Sequence, residues 1–139
     1  MTRNKAVMAV QVVLLVTCLV LGGLVTQSYA QDKRELLIQA AGKGDLAKVK
    51  EFVAAKANVN AKGKYGWTAL IAASRNGHTE TVKFLIASGA EVNAKREGDW
   101  TALMGASTFG HTEIVKLLIA AKADVNAANG EGRLPLHVA

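Results

Sequence analysis

His78 and His111 stand at matching places in two similar stretches of the chain, and paired histidines invite a metal reading. A zinc site needs ligands within about 2 Å of the ion. Equivalent side chains on stacked helices start about 8–10 Å apart. No further cysteine or acidic pair completes a site, so a structural role for both histidines is expected, with no metal and no cofactor. Ser74 and Ser107 also recur at one position, with Asp99 and Asp124 the nearest aspartates. None of these serines sits in a nucleophile elbow, and nothing pairs a nucleophile with a base. Gly130-Glu131-Gly132 lacks the strand-to-helix context of a phosphate loop. Recurrence itself argues against chemistry, because an active site needs one special place. No catalytic residue and no small-molecule substrate are expected.

That recurrence is the main fact of the sequence. Trp67-Thr68-Ala69-Leu70 returns as Trp100-Thr101-Ala102-Leu103, an offset of 33 residues. Gly77-His78-Thr79-Glu80 returns as Gly110-His111-Thr112-Glu113, and Val59-Asn60-Ala61 returns twice, at Val92 and Val125. A fixed period of this size marks a solenoid, whose units are too small to bury a core alone and must stack.

Each period resolves into parts. Thr68 is placed to cap a short run rich in Ala and Leu, and Gly77 to end it in a left-handed turn. A second helix is predicted from Thr79 to Ser88, with Val82, Leu85 and Ile86 on one face and Glu80 in its first turn. Gly89 stops it, and a polar loop leads to the next Trp-Thr-Ala-Leu. Lys56 and Lys122 replace that glycine in the neighbouring periods, so strained turns are expected there.

These motifs, with Val-Lys-x-Leu-Ile, Gly-Ala-x-Val-Asn-Ala and the final Leu134-Pro135-Leu136-His137-Val138-Ala139, resemble the ankyrin repeat. The resemblance implies an all-α solenoid of stacked helix-turn-helix units with projecting hairpin-like loops. It runs from about Arg34 to the end: units at about 34–65, 66–98 and 99–131, and a partial fourth at 132–139. The first is divergent and lacks the Thr-x-Leu start, and Gln31 to Glu35 read as the polar lead-in of a capping unit. Ile71 and Met104 replace a histidine of the family pattern, which leaves packing there. The fourth unit stops within its first helix, so Ile114, Leu117 and Leu118 are expected to lack part of their cover.

Residues 1–30 differ from the rest. Arg3 and Lys5 precede an apolar run, Ala6 to Val25, and Ser28 and Ala30 provide small residues. This is the pattern of a secretory signal cut between Ala30 and Gln31. The alternative is an uncleaved membrane anchor, since the run approaches the ~20 residues that span a bilayer. In either case the repeats are expected outside the cytoplasm, periplasmic or secreted, or held at the inner membrane facing the periplasm. Cys18, the only cysteine, falls within the run, so the domain at 31–139 needs no disulfide. Removing Arg3 and Lys5 lowers the net charge from +6 to +4. The remaining lysines are scattered, with no stripe or motif for nucleic acid.

Function then falls to the residues that differ between units. In the family, partners bind the loop tips and the first-helix faces of the concave side. Carried over, these are Lys62, Lys64, Tyr65 and Trp67 at the first tip, Lys95, Glu97, Gly98 and Trp100 at the second, and Ala128, Gly130, Glu131 and Arg133 at the third. Arg75 with Asn76, and Thr108 with Phe109, come from the helices. Tyr, Trp and Arg dominate interface energetics. Trp67 and Trp100, being repeated, have the alternative of packing on the next loop. Tyr65 and Phe109 are unrepeated. The resemblance thus implies an exported module that binds a protein partner, with a membrane-tethered assembly subunit stacking end to end as the alternative.

Overall fold

Thr68 and Thr101 each turn an extended approach into a helix. Their hydroxyl oxygens accept from Ile71 N at 3.2 Å and Met104 N at 3.3 Å. Each satisfies one of the donors that a helix start leaves open. The computed structural model describes residues 24–135, with side chains from Lys33 to Pro135. Its helices are α1 (Leu24–Lys43), α2 (Leu46–Ala54), α3 (Ala69–Arg75), α4 (Thr79–Ala87), α5 (Ala102–Thr108) and α6 (Thr112–Ala120). No regular strand occurs among the described residues. The chain divides into two units, Met1–Asp32 and Lys33–Ala139, and the repeats occupy the second.

The first helices are short because they are sandwiched. Ala69 to Ser74 and Ala102 to Ser107 are buried throughout. Small side chains at Ala69, Ala73, Ala102 and Ala106 let α3 and α5 stack closely, while Leu70 and Leu103 fill the space behind them. The second helices bury one stripe each: Val49 on α2, Val82 and Leu85 on α4, Ile114 and Leu118 on α6. Their outer faces carry charge pairs, Lys83 with Glu80 and Lys116 with Glu113. Such exposed pairs contribute little to stability. Ile71 and Met104 are buried and serve packing, as expected.

Two polar ladders join one unit to the next. His78 Nε2 donates to the Gly42 carbonyl at 2.9 Å, and His111 Nε2 to the Arg75 carbonyl at 3.0 Å. The histidines therefore tie each second helix to the end of the preceding first helix, across the unit boundary. Asn60 accepts from Glu91 N at 2.7 Å and donates to the Gly89 carbonyl. Asn93 repeats this with Asp124 N, also at 2.7 Å, and the Lys122 carbonyl. Gly77 is required twice over. Its φ is +80°, and a Cβ there would lie 2.6 Å from the His111 ring. The aspartates named above also serve structure: Asp99 pairs with Lys95, and Asp124 accepts from Asn126 N.

Three readings are refined. Residues 31–35, read as a polar lead-in, are helical, and the first helix of unit 1 is the end of the longer α1. Of the stripe expected to lack part of its cover, Ile114 and Leu118 are buried, while Leu117 is half-buried and Ile119 is 46 % exposed. The predicted helix to Ser88 ends at Ala87, with Ser88 as its C-terminal cap. Lys56 and Lys122 do adopt left-handed φ values of 61° and 67°.

The apolar run of residues 6–25 lies almost wholly outside the described residues, as do residues 136–139 of the fourth unit. The junction Ala30–Gln31 falls inside α1. No helix among the described residues is long and apolar enough to cross a membrane.

Candidate functional site

The loops close as miniature hairpins. Gly63 N donates to the Trp67 carbonyl, Arg96 N to that of Trp100 and Asn129 N to that of Arg133, at 2.8–2.9 Å. One bond of this kind fixes the exit of each tip, so the side chain at its last position projects the same way in every unit. Tips are also tied to each other. Lys62 Nζ donates to the Lys95 carbonyl at 3.2 Å, and Gly130 N to the Gly98 carbonyl at 2.8 Å. Glu35 of α1 accepts from Lys64 N.

Beneath the second tip lies a cleft of about 230 Å³. Ile71 and Arg75 line it from α3, where a spacing of four puts them on one face. Thr101, Gly105 and Thr108 line it from the start and body of α5, with Phe109 just beyond. Trp67, Arg96 and Trp100 come from the tips. Cations and rings alternate across it. The Arg96 guanidinium lies 4.6 Å from the Trp67 ring centre and 5.6 Å from that of Trp100. The Arg75 guanidinium lies 5.7 Å from Trp67 and 5.2 Å from Phe109. Each such contact is worth about 0.5–1 kcal/mol where solvent reaches it. Phe109 in turn stacks on His111, which anchors it to the inter-unit ladder.

Electrostatics in the cleft are one-sided. Burial, and secondly the charge of Arg75, lower the pKa of Arg96 from its ordinary value, against a smaller raising effect of Glu97. Arginine starts so far above neutrality that the charge persists. Gly105 stands where unit 2 has Ala72, and a Cβ there would lie in van der Waals contact with Arg75, at 3.4 Å.

Of the residues expected on the displayed face, Trp67, Arg75, Trp100, Thr108 and Phe109 converge on this cleft. Others lie apart from it. Tyr65 is 54 % exposed at the first tip, with Lys64 Nζ over its ring at 5.0 Å. Lys95 pairs with Asp99 and Arg133 with Glu131. Glu97 is exposed beside Arg96. Asn76 donates to the Gly42 carbonyl at 2.8 Å, so its amide is a strut between units. Trp67 packs on Arg96 of the next loop, the alternative weighed for it, and that places its ring in the wall of the cleft. Sequence reasoning passed over Arg96, although it stands where the other tips have Gly63 and Asn129. An unrepeated arginine between two tryptophan positions was the available signal.

Tyr65 is unusual in another way. It holds φ +58° where the second tip has Gly98 at +78°. A bulky residue there is a genuine outlier.

Short paired helices, stacked through repeated caps and asparagine and histidine ladders, define an α-solenoid repeat protein with hairpin-like loops at the unit boundaries. A family model described as ankyrin repeats (3 copies) matches residues 6–96 and 94–139, and the chain belongs to the ankyrin-repeat family. No match to a curated protein was found. Ankyrin repeats are general protein–protein interaction modules, typically without enzymatic activity.

Proposed function

We propose that this chain is an exported ankyrin-repeat module that binds a protein partner through the cleft between units 2 and 3 and the tips beside it. One observation carries the reading: Trp67, Trp100, Arg75 and Arg96, of types that dominate binding energy at interfaces, converge on one cleft with Phe109, of a type enriched there. The exposure of Tyr65 and Phe109, at 54 % and 53 %, adds apolar area beside it. The serines at the repeated helical position serve packing: Ser74 is wholly buried and Ser107 nearly so. Export rests on the signal pattern of residues 1–30.

Cross-linking pull-down from the exporting compartment, with Tyr65, Trp67 and Phe109 replaced by alanine, tests the binding surface. Partners captured by the native chain should be lost while circular dichroism stays native. Recovery of the same partners refutes the assignment. Mass spectrometry of the exported protein tests the leader, with an N-terminus at Gln31 as the expected result.

A further inference from the structure

We propose that the cleft reads a carboxylate, and that the partner segment it takes is an acidic peptide. An Asp or Glu side chain lies against the guanidiniums of Arg75 and Arg96, and a neighbouring apolar side chain lies on the Trp67 and Phe109 rings. The inference rests on the binding-module reading above and adds the chemistry of what is bound.

Two observations carry it. The first is how these cations are held. Arg75 and Arg96 face no carboxylate in any ion pair among the described residues, a condition they share with several surface lysines, but each of them lies over two aromatic rings of the cleft. Arg96 makes one long side-chain hydrogen bond, 3.5 Å from Nη1 to the Glu97 carbonyl. A guanidinium over a ring keeps N–H groups in its own plane for a carboxylate, and the ring holds it ready.

The second is charge. Arg96 is partly desolvated, and the neighbouring charge of Arg75 further disfavours its own. An arriving carboxylate offsets that repulsion, since an opposite charge favours the charged form. The volume of about 230 Å³ is below the roughly 300–1,000 Å³ of small-molecule pockets. It suits one or two side chains of a longer segment. Rings alternating with cations also occur where single-stranded nucleic acid binds. Here the neighbouring tip cations do not form a phosphate-tracking row: Lys95 and Arg133 are paired with acids, Lys62 donates to the Lys95 carbonyl, and Lys64 lies over the Tyr65 ring.

The chain carries its own reporter, because Trp67 and Trp100 are its only tryptophans and both line the cleft. The full chain is titrated, with tryptophan emission read, against four probes. These are a blocked hexapeptide of alternating Glu and Leu, its Gln and Leu counterpart, inorganic phosphate, and an oligothymidylate of matched charge. The glutamate peptide should give a saturable change, and the glutamine peptide should bind at least about tenfold more weakly, as loss of charge-assisted bonds requires. Phosphate and oligothymidylate should fail to displace it at equal concentration.

Arg75→Gln and Arg96→Gln should each weaken the glutamate peptide by a similar factor, while Lys116→Gln, on the outer face of α6, leaves it unchanged. Where a glutamine variant loses its native circular dichroism, the lysine variant replaces it. Lysine keeps the charge but loses the planar fork, so it too must weaken binding. Absent binding, equal affinity for the two peptides, indifference to both arginines, or tighter binding of phosphate or oligothymidylate overturns the proposal. If partner capture still depends on Tyr65, Trp67 and Phe109, the module reading stands and only the acidic assignment falls. If capture ignores those residues, the module reading itself falls.

Discussion

Lys56 and Lys122 offer a stability test whose size follows from backbone geometry. Both end a second helix in the left-handed region, at φ 61° and 67°, where the middle unit has Gly89 at 89°. A side chain in that region costs about 1–2 kcal/mol through the crowding of Cβ against the carbonyl. Glycine removes that cost but gives the unfolded chain more freedom, worth about 0.4–1 kcal/mol the other way. Lys56→Gly and Lys122→Gly should therefore each stabilise by about 0.5–1 kcal/mol. The sites lie in different units and share no partner, so the double variant should show the sum. Gly89 supplies the reverse experiment. A Cβ there meets nothing within 4 Å, so Gly89→Lys isolates the backbone effect and should destabilise by the same amount. Urea unfolding followed by circular dichroism measures all four proteins. The midpoint should move while the slope stays constant, since the exposed surface is unchanged. If Lys122→Gly destabilises, or Gly89→Lys is neutral, the strain argument is wrong. The lysines would then be held by contacts that outweigh the backbone.

Three further outcomes follow from the same packing. Asn93→Ala removes both bonds that join α6 and its loop to unit 2, and should cost about 2 kcal/mol. Hydrogen exchange should localise that loss to unit 3, with α3 largely protected. Ser74→Ala removes a buried hydroxyl without a partner among the described residues, and should raise stability by about 0.5–1 kcal/mol in thermal unfolding. Gly77→Ala should destabilise by at least about 1–2 kcal/mol, because it meets both the left-handed turn and the His111 ring. A silent Gly77→Ala would mean that the histidine strut can move freely.

Much of this fold was legible because stacking repeats every requirement. Thr68 and Thr101 both had to cap, Gly77 and Gly110 both had to turn, and periodic Val and Leu positions had to face the neighbouring helix. A position that recurs in phase is read several times over, so element types and most boundaries emerged from pattern alone. Unit 1 was harder, because its first helix belongs to the longer α1 and carries no threonine cap. The stripe of α6 was legible only in part: Ile114 and Leu118 are buried against helices of their own and the preceding unit, while Leu117 stays half-buried.

The site follows the opposite logic. Whatever recurs in every unit is accounted for by stacking, so only departures from the repeat can make one place unlike another. Arg75 stands where unit 3 has Thr108, Phe109 where unit 2 has Asn76, Arg96 where its neighbours have Gly63 and Asn129, and Gly105 where unit 2 has Ala72. Scattered along the chain, these are four unrelated substitutions. Folded, they meet in one cleft between two units, framed by the repeated tryptophans. Type alone could flag Arg75 and Phe109, since arginine and aromatics stand out on a displayed face. Arg96 and Gly105 acquire meaning only in pairs: Arg96 once Trp67 of the preceding tip lies under it, and Gly105 once the Arg75 stem lies against it. Sequence pattern registers what each unit needs for itself. A groove between units is built from what two units need of each other, and its residues are found by asking which departures the stacking brings together.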